Sequence, residues 1–270
     1  MSDLIVMFVK DDYGTHATVT CQAKASVDPV AKALDESSPM RIKAVLFDMD
    51  GLMIDSERIY TDVTNSIIGE FGAEMTWEIK AGIMGRPAHD AANYLIKATN
   101  LPLTPDELLR RMDVALEERF RTVKPLPGVA RLVAHLAKHE VPMAIATGSK
   151  KKNFEIKSSH LGHLFDPFKG RVLCGDDPVL QGKGKPDPTI FLEAARIHLG
   201  MTEELQHVLV FEDGAPGVQA AKAAGMPVVW VPDVQLVATL GEGHGLNPTA
   251  QLETLEHFKP EEWGLPPYDA

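Results

Sequence analysis

The chain has 270 residues, 44% hydrophobic and 24% charged, as expected of a globular protein long enough to bury a sizeable core. Its formal net charge of −11 argues against a general nucleic-acid binder, which needs a basic surface, but leaves room for a local positive site that holds a small anion. Two cysteines far apart, Cys21 and Cys174, argue against a disulfide framework or a cysteine-type zinc site and fit a reducing, cytoplasmic setting; no apolar run reaches the roughly 18–20 residues of a membrane span.

In chain order, residues 1–40 are polar after LIVMFV (4–9) and end in DESSPM (35–40), a linker composition. A peripheral or partly disordered extension is expected there. LIVMFV lacks a basic flank and the first 40 residues contain no arginine, so neither a secretory signal nor a mitochondrial transit segment is expected. KAVLF (43–47) then reads as a short buried parallel strand. Similar runs recur at VPMAIAT (141–147), RVLC (171–174), HVLVF (207–211) and PVVWV (227–231).

Residues 57–123 interrupt this alternation. They carry three helical patterns, at about 56–71, 87–99 and 104–122, and no convincing buried strand. In the last, Thr104, Pro105 and Glu107 read as N-cap, N1 and N3, and Leu108, Met112, Ala115 and Leu116 mark one apolar face. Further on, Val129, Leu132, Val133 and Leu136 follow i, i+3, i+4, i+7 spacing, and the alanine-rich GVQAAKAAG (217–225) stops at Gly225, a good residue after a helix end. The pattern predicts an α/β fold with a doubly wound parallel sheet built from 41–56 and 124–270, and a helical insert at 57–123 after the first core strand.

Open α/β sheets bind ligands beyond the carboxyl ends of their strands, so the polar residues after each strand are read together. VLFDMDGLMIDSE (45–57) delivers Asp48 and Asp50, two carboxylates that raise each other's pKa unless a cation compensates. Alone, this could be an ordinary polar turn. The second strand delivers Thr147, Gly148 and Ser149 at a predicted helix start, where a hydroxyl and N–H groups suit a phosphate or simply cap the helix. GKGKPDP (182–188) delivers Lys183 and Lys185, without the glycine spacing or Ser/Thr of a Walker A loop. Lys185, directly before Pro-Asp-Pro, is favoured. VFEDGAPG supplies Glu212 and Asp213. Four carboxylates, a hydroxyl and a lysine at one sheet edge suit Mg²⁺, a hard cation that takes oxygen ligands. An EF-hand is excluded because Leu52 occupies the third acidic position.

Asp48-Met49-Asp50-Gly51, Thr147, Lys185 and Glu212-Asp213 resemble the four ordered motifs of the haloacid dehalogenase superfamily of phosphohydrolases over residues 41–270. The C-terminal FKPEEWGLPPY, outside those motifs, resembles the branch acting on pseudouridine 5′-phosphate. The resemblance implies a helical cap at 57–123 and Mg²⁺-dependent hydrolysis of a small phosphorylated metabolite. It implies Asp48 as nucleophile, Asp50 as acid and base, and Thr147 and Lys185 on the phosphoryl group with Gly148 and Ser149. Metal ligands would be Asp48, the Asp50 carbonyl and Asp213, with Glu212 behind the metal or on it. Other phosphatases of sugar phosphates, 2-deoxyglucose 6-phosphate or glycerol phosphate are alternatives. A mutase-like phosphotransferase is disfavoured, because Tyr60 stands where that pattern has histidine. A phospho-receiver or catalytically dead scaffold is the non-enzymatic alternative. Arg86, in the cap loop IMGRPAHD (83–90), is expected to reach the substrate on closure. A monomer is expected.

Overall fold

The structure is a computed structural model that describes residues 9–11, 14–16, 41–83, 88–240 and 245–269. The chain divides into two compact units, Met1–Ser38 and Pro39–Ala270. In the first, the described residues form a short antiparallel ribbon of β1 (Val9–Asp11) and β2 (Gly14–His16), with Val9 opposite His16. The remainder of the expected extension, with Cys21, lies outside the described residues.

The second unit begins with β3 (Ala44–Phe47) and then makes four described helices: α1 (Ser56–Gly69), α2 (Trp77–Ile83), α3 (Ala88–Thr99) and α4 (Pro105–Phe120). The sequence pattern gave three of these. The seven-residue α2 is too short to show a periodicity. Thr104 caps α4 as expected, its hydroxyl accepting from Glu107 N at 3.3 Å. Leu108 and Leu116 on the same helix are buried.

The chain then alternates: α5 (Val129–Lys138), β4 (Met143–Thr147), α6 (Lys151–Ser158), α7 (Gly162–Phe165), β5 (Val172–Cys174), α8 (Thr189–Ala194), β6 (Val208–Glu212), α9 (Ala215–Ala223), β7 (Val228–Trp230), α10 (Val234–Leu240) and β8 (Ala250–Gln251). The last strand, two residues long, is an addition to the five expected. All six pair in parallel in the order β5-β4-β3-β6-β7-β8. Because strand side chains alternate, Val45 and Phe47 of β3 join the apolar cluster on one face with α5, while Leu46 joins the other with α8 and α9. Burial on both faces explains why these strands read as unbroken apolar runs.

The order reverses at β3. From there the chain builds outward through β4 on one side and β6 on the other, and this switch opens a crevice at the carboxyl ends. Asp48 N donates to Phe211 O at 3.0 Å, fixing the end of β3 against β6. The passages into and out of the helical insert are also paired: Asp55 N donates to Lys124 O (2.9 Å) and Leu126 N to Met53 O (3.0 Å).

The C-terminal FKPEEWGLPPY belongs to the core. Phe258 is buried, edge-on to Phe211 with ring centroids 4.8 Å apart. Phe258→Ala should therefore lower unfolding free energy by about 3–5 kcal/mol, read from denaturant melts. A loss under about 1 kcal/mol would show that this segment is not part of the core.

Candidate active site

The first element of the site is the turn after β3. Asp48 is buried at the strand end, and Asp50 is two residues on. Gly51 between them and α1 has φ +79°, and a Cβ there would sit 2.2 Å from Asp213 Oδ2. The glycine is thus required twice, by the left-handed backbone and by the carboxylate that approaches over it.

Asp50 is enclosed by donors. Ser56 Oγ donates to Oδ1 at 2.6 Å and Ser149 Oγ to Oδ2 at 2.6 Å. Lys157 Nζ reaches Oδ1 at 2.5 Å and Ser149 Oγ at 3.0 Å. Burial by itself would raise the Asp50 pKa, but the Lys157 charge and these hydrogen bonds outweigh it and hold the carboxyl below its ordinary value. Lys157 is completely buried, its ammonium 4.2 Å from the ring centroid of Phe120 and 3.4 Å from Tyr60 Oη.

On the other side, Lys185 Nζ donates to Asp48 Oδ1 and, at 2.5 Å, to Glu212 Oε1. Lys183 is exposed, so of the two lysines the structure brings Lys185 to the acids. Glu212 Oε2 accepts from Gly214 N at 2.8 Å, so both its oxygens have protein partners. A Cβ at Gly217 would lie 1.7 Å from Glu212 Oε1; the glycine leaves room for that side chain to turn back. Asp213 is placed by its backbone, whose carbonyl accepts from Trp230 Nε1 at 2.7 Å.

Thr147, Gly148 and Ser149 do not open a helix as expected. Thr147 closes β4 and α6 starts at Lys151, whose N–H donates to Asp176 Oδ1 at 2.8 Å. Thr147 is completely buried; its hydroxyl accepts from Ser149 N (3.0 Å) and lies 3.5 Å from Asp50 Oδ2. Gly148 and Ser149 form the cavity wall at this point. Arg86 lies outside the described residues.

Asp48, Asp50, Glu212 and Asp213 are four carboxylates faced by two ammonium groups, Lys157 and Lys185. The imbalance appears in their acidity. Burial raises the Asp48 pKa, Lys185 lowers it in part, and Glu212 and Asp50 raise it further, to about 7. Burial, Glu212 and Asp48 push Asp213 well above the carboxylate range. An oxygen-rich site short of positive charge fits a hard divalent cation. Glu57, at the rim, is neutralised by Lys80 of α2 at 3.6 Å.

The acids form the floor of a cavity of about 700 Å³ whose walls include Tyr60, Lys80, Leu108, Met112, Leu116 and Phe120 from the helical insert. A separate cavity of about 800 Å³ between α6, α7 and β5 contains none of these four acids. Cys174, which lines it, has its thiol pushed up to about 11 by burial, as expected of a core residue rather than a reactive thiol.

Lys157, Ser56 and Lys80 were not singled out from the sequence. A signal for Lys157 existed: Phe154, Lys157 and Leu161 are spaced i, i+3, i+7, which puts a lysine on an apolar stripe. Such a lysine is more often a surface residue whose stem packs down, and the acid that holds it is 107 residues away.

The haloacid dehalogenase-like hydrolase family matches residues 42–225. The chain belongs to this family and is a phosphatase. It is 39% identical to a "Probable pseudouridine-5′-phosphatase" of Saccharomyces cerevisiae, over 84% of this chain and 99% of that one. It is likewise 39% identical to a (DL)-glycerol-3-phosphatase of Arabidopsis thaliana, over 84% and 93%. Among solved structures, a HAD family hydrolase from Deinococcus radiodurans with bound phosphate and sodium superposes with a TM-score of 0.68 at 25% identity, covering 84% of this chain and 99% of that one. Among the described residues, no helix is long and apolar enough to cross a membrane.

The raised acid at Asp48 makes stability depend on pH. Between the unfolded value near 4 and the folded value of about 7 the folded protein holds the extra proton, so stability falls as pH rises through that window. Chelator-treated wild type should melt lower at pH 8 than at pH 5, and Asp48→Asn should show a shallower slope. Parallel curves for the two proteins would contradict the assignment.

Proposed function

We propose that the chain is a Mg²⁺-dependent phosphate monoester hydrolase that works through an aspartyl-phosphate on Asp48, with pseudouridine 5′-phosphate as substrate. The observation that carries the reading is the charge-deficient group of Asp48, Asp50, Glu212 and Asp213 on the floor of a cavity walled by the helical insert.

In the first step Asp50, a carboxylate in the free protein, takes the proton of the bound phosphate monoester monoanion; an Asp48 oxygen attacks phosphorus, the P–O ester bond breaks, and Asp50 passes that proton to the leaving alkoxide. In the second, water attacks the phosphoryl group, Asp50 takes its proton, and the Asp48–phosphorus bond breaks to release inorganic phosphate. Lys185 is assigned to the phosphoryl oxygens, where it offsets developing charge, with the Thr147 hydroxyl and the Gly148–Ser149 turn beside it. Mg²⁺ held by the Asp48 carboxylate, the Asp50 main-chain carbonyl and Asp213 would lower the repulsion between an anionic nucleophile and an anionic substrate. Glu212 is assigned to orient Lys185 rather than to ligate, because both its oxygens are taken by Lys185 and Gly214. Lys157 is a positioning residue: with Ser56 and Ser149 it fixes the Asp50 carboxylate and keeps it in the form that accepts the proton of water.

Two features support a nucleoside-sized leaving group. The cavity is roomy, and the half-buried Tyr60, Leu109 and Met112 offer it aromatic and apolar surface that suits a flat base and that glycerol would not use. The equal identity to a glycerol-3-phosphatase keeps glycerol phosphate as the second reading. Both are small phosphorylated metabolites, and a monomer suffices for either because every residue assigned here comes from one chain.

The test is phosphate release with Mg²⁺ from pseudouridine 5′-phosphate, 2-deoxyglucose 6-phosphate and glycerol phosphate. The highest kcat/KM is expected for pseudouridine 5′-phosphate, with activity lost on chelation and restored by Mg²⁺. Asp50→Asn should lower kcat by on the order of 10²–10⁴. A preference for glycerol phosphate would transfer the assignment to the second reading, and full turnover in thorough chelation would contradict the metal role.

A further inference from the structure

His135 and His139 lie four residues apart on α5 and so share one face of the helix. His135 is buried and the His139 side chain is 30% exposed, with ring centroids 4.6 Å apart. The end of FKPEEWGLPPY crosses this face. The Pro266 carbonyl lies 2.8 Å from His135 Nε2, and the Tyr268 ring packs 4.7 Å from the His135 ring. The next residue, Asp269, sets Oδ1 3.9 Å from His139 Nε2 and accepts from Lys138 Nζ on Oδ2 at 2.6 Å. One ligating atom from each of His135, His139 and Asp269 falls within 4.8 Å of the others. None of the three lines the catalytic cavity.

We propose that His135, His139 and Asp269 bind a divalent transition-metal ion of the zinc type, which clips the C-terminal segment to α5. A carbonyl oxygen can accept but not donate, so His135 Nε2 carries the proton and Nδ1 carries the lone pair. That is the arrangement of metal-bound histidines, whose second ring nitrogen donates to a carbonyl or carboxylate that fixes the tautomer. Lys138 is ion-paired with Asp269 at 2.6 Å, a partner for the carboxylate a metal requires. It uses Oδ2 and leaves Oδ1 facing His139. Two imidazoles and one carboxylate select zinc-class ions over Mg²⁺, which prefers an all-oxygen shell. Zinc ligands at 2.0–2.1 Å stand roughly 3.4 Å apart in a tetrahedron, so the His139 ring and the exposed Asp269 side chain must both turn inward on binding. Water completes the coordination. The site gives the C-terminal motif a role that phosphate hydrolysis does not use.

The experiment is equilibrium dialysis against Zn²⁺ with Mg²⁺ in large excess, followed by metal analysis of the full chain. Wild type is compared with His139→Gln and Asp269→Asn. Zinc held elsewhere, including at the catalytic acids, is common to all three proteins, so the difference reads this site. Each variant should hold one equivalent less than wild type while hydrolysing phosphate esters at the wild-type rate in zinc-free buffer. Zinc content equal to wild type in either variant would overturn the proposal. Asp269→Asn decides alone if His139→Gln does not fold, because Asp269 is exposed and leaves the helix intact.

Discussion

The site depends on a shortage of positive charge. Two neighbouring strands, β3 and β6, end in acids at the point where the sheet reverses direction; the buried Lys157 serves one side and the half-buried Lys185 the other. Lys157 satisfies Asp50 and Lys185 satisfies Asp48 and Glu212, which leaves Asp213 with no ammonium of its own among the described residues. Like charges at this spacing stay ionised only where a cation joins them. The two acids of the first motif are therefore differentiated by their partners. Asp50 is held as a carboxylate, whereas Asp48 is left protonatable until the missing charge arrives.

The surrounding structure keeps that arrangement in place. Gly51 admits Asp213 over the turn, Gly217 admits Glu212, and Trp230 anchors the Asp213 backbone. Cap and core share one apolar cluster, continuous from Phe47 through Met49 and Ile54 to Leu116 and Phe120. Phe120 of the insert also lies under the Lys157 ammonium. The lysine that orients Asp50 thus touches both the core and the helical insert.

Much of this was legible in the sequence, for a physical reason. Strands buried on both faces must be continuously apolar, so β3, β4, β5, β6 and β7 could be read directly, and ligands of such sheets gather at strand ends, so Asp48, Asp50, Lys185, Glu212 and Asp213 could be grouped. What escaped lacked a local signature. Helix α2 and strand β8 are shorter than any periodicity. Lys157 acts on Asp50 through a tertiary contact, and a lysine in KKNFEIKS resembles its solvated neighbours; Ser56, six residues from Asp50, reads as an ordinary serine at a helix start. The second strand ends at Thr147 as expected, but the helix expected to open at Thr147–Ser149 starts only at Lys151. The C-terminal motif stood out in the sequence without a physical role, and the aromatic contacts of Phe258 supply part of one.

The central claim, that the acids are arranged for one divalent cation, is tested most directly by isothermal titration of Mg²⁺ into metal-free protein. Wild type should bind one equivalent more than Asp213→Asn, because that substitution removes the carboxylate with no lysine partner and leaves both ion pairs intact. Equal binding by the two proteins, or no binding by wild type, would contradict the account.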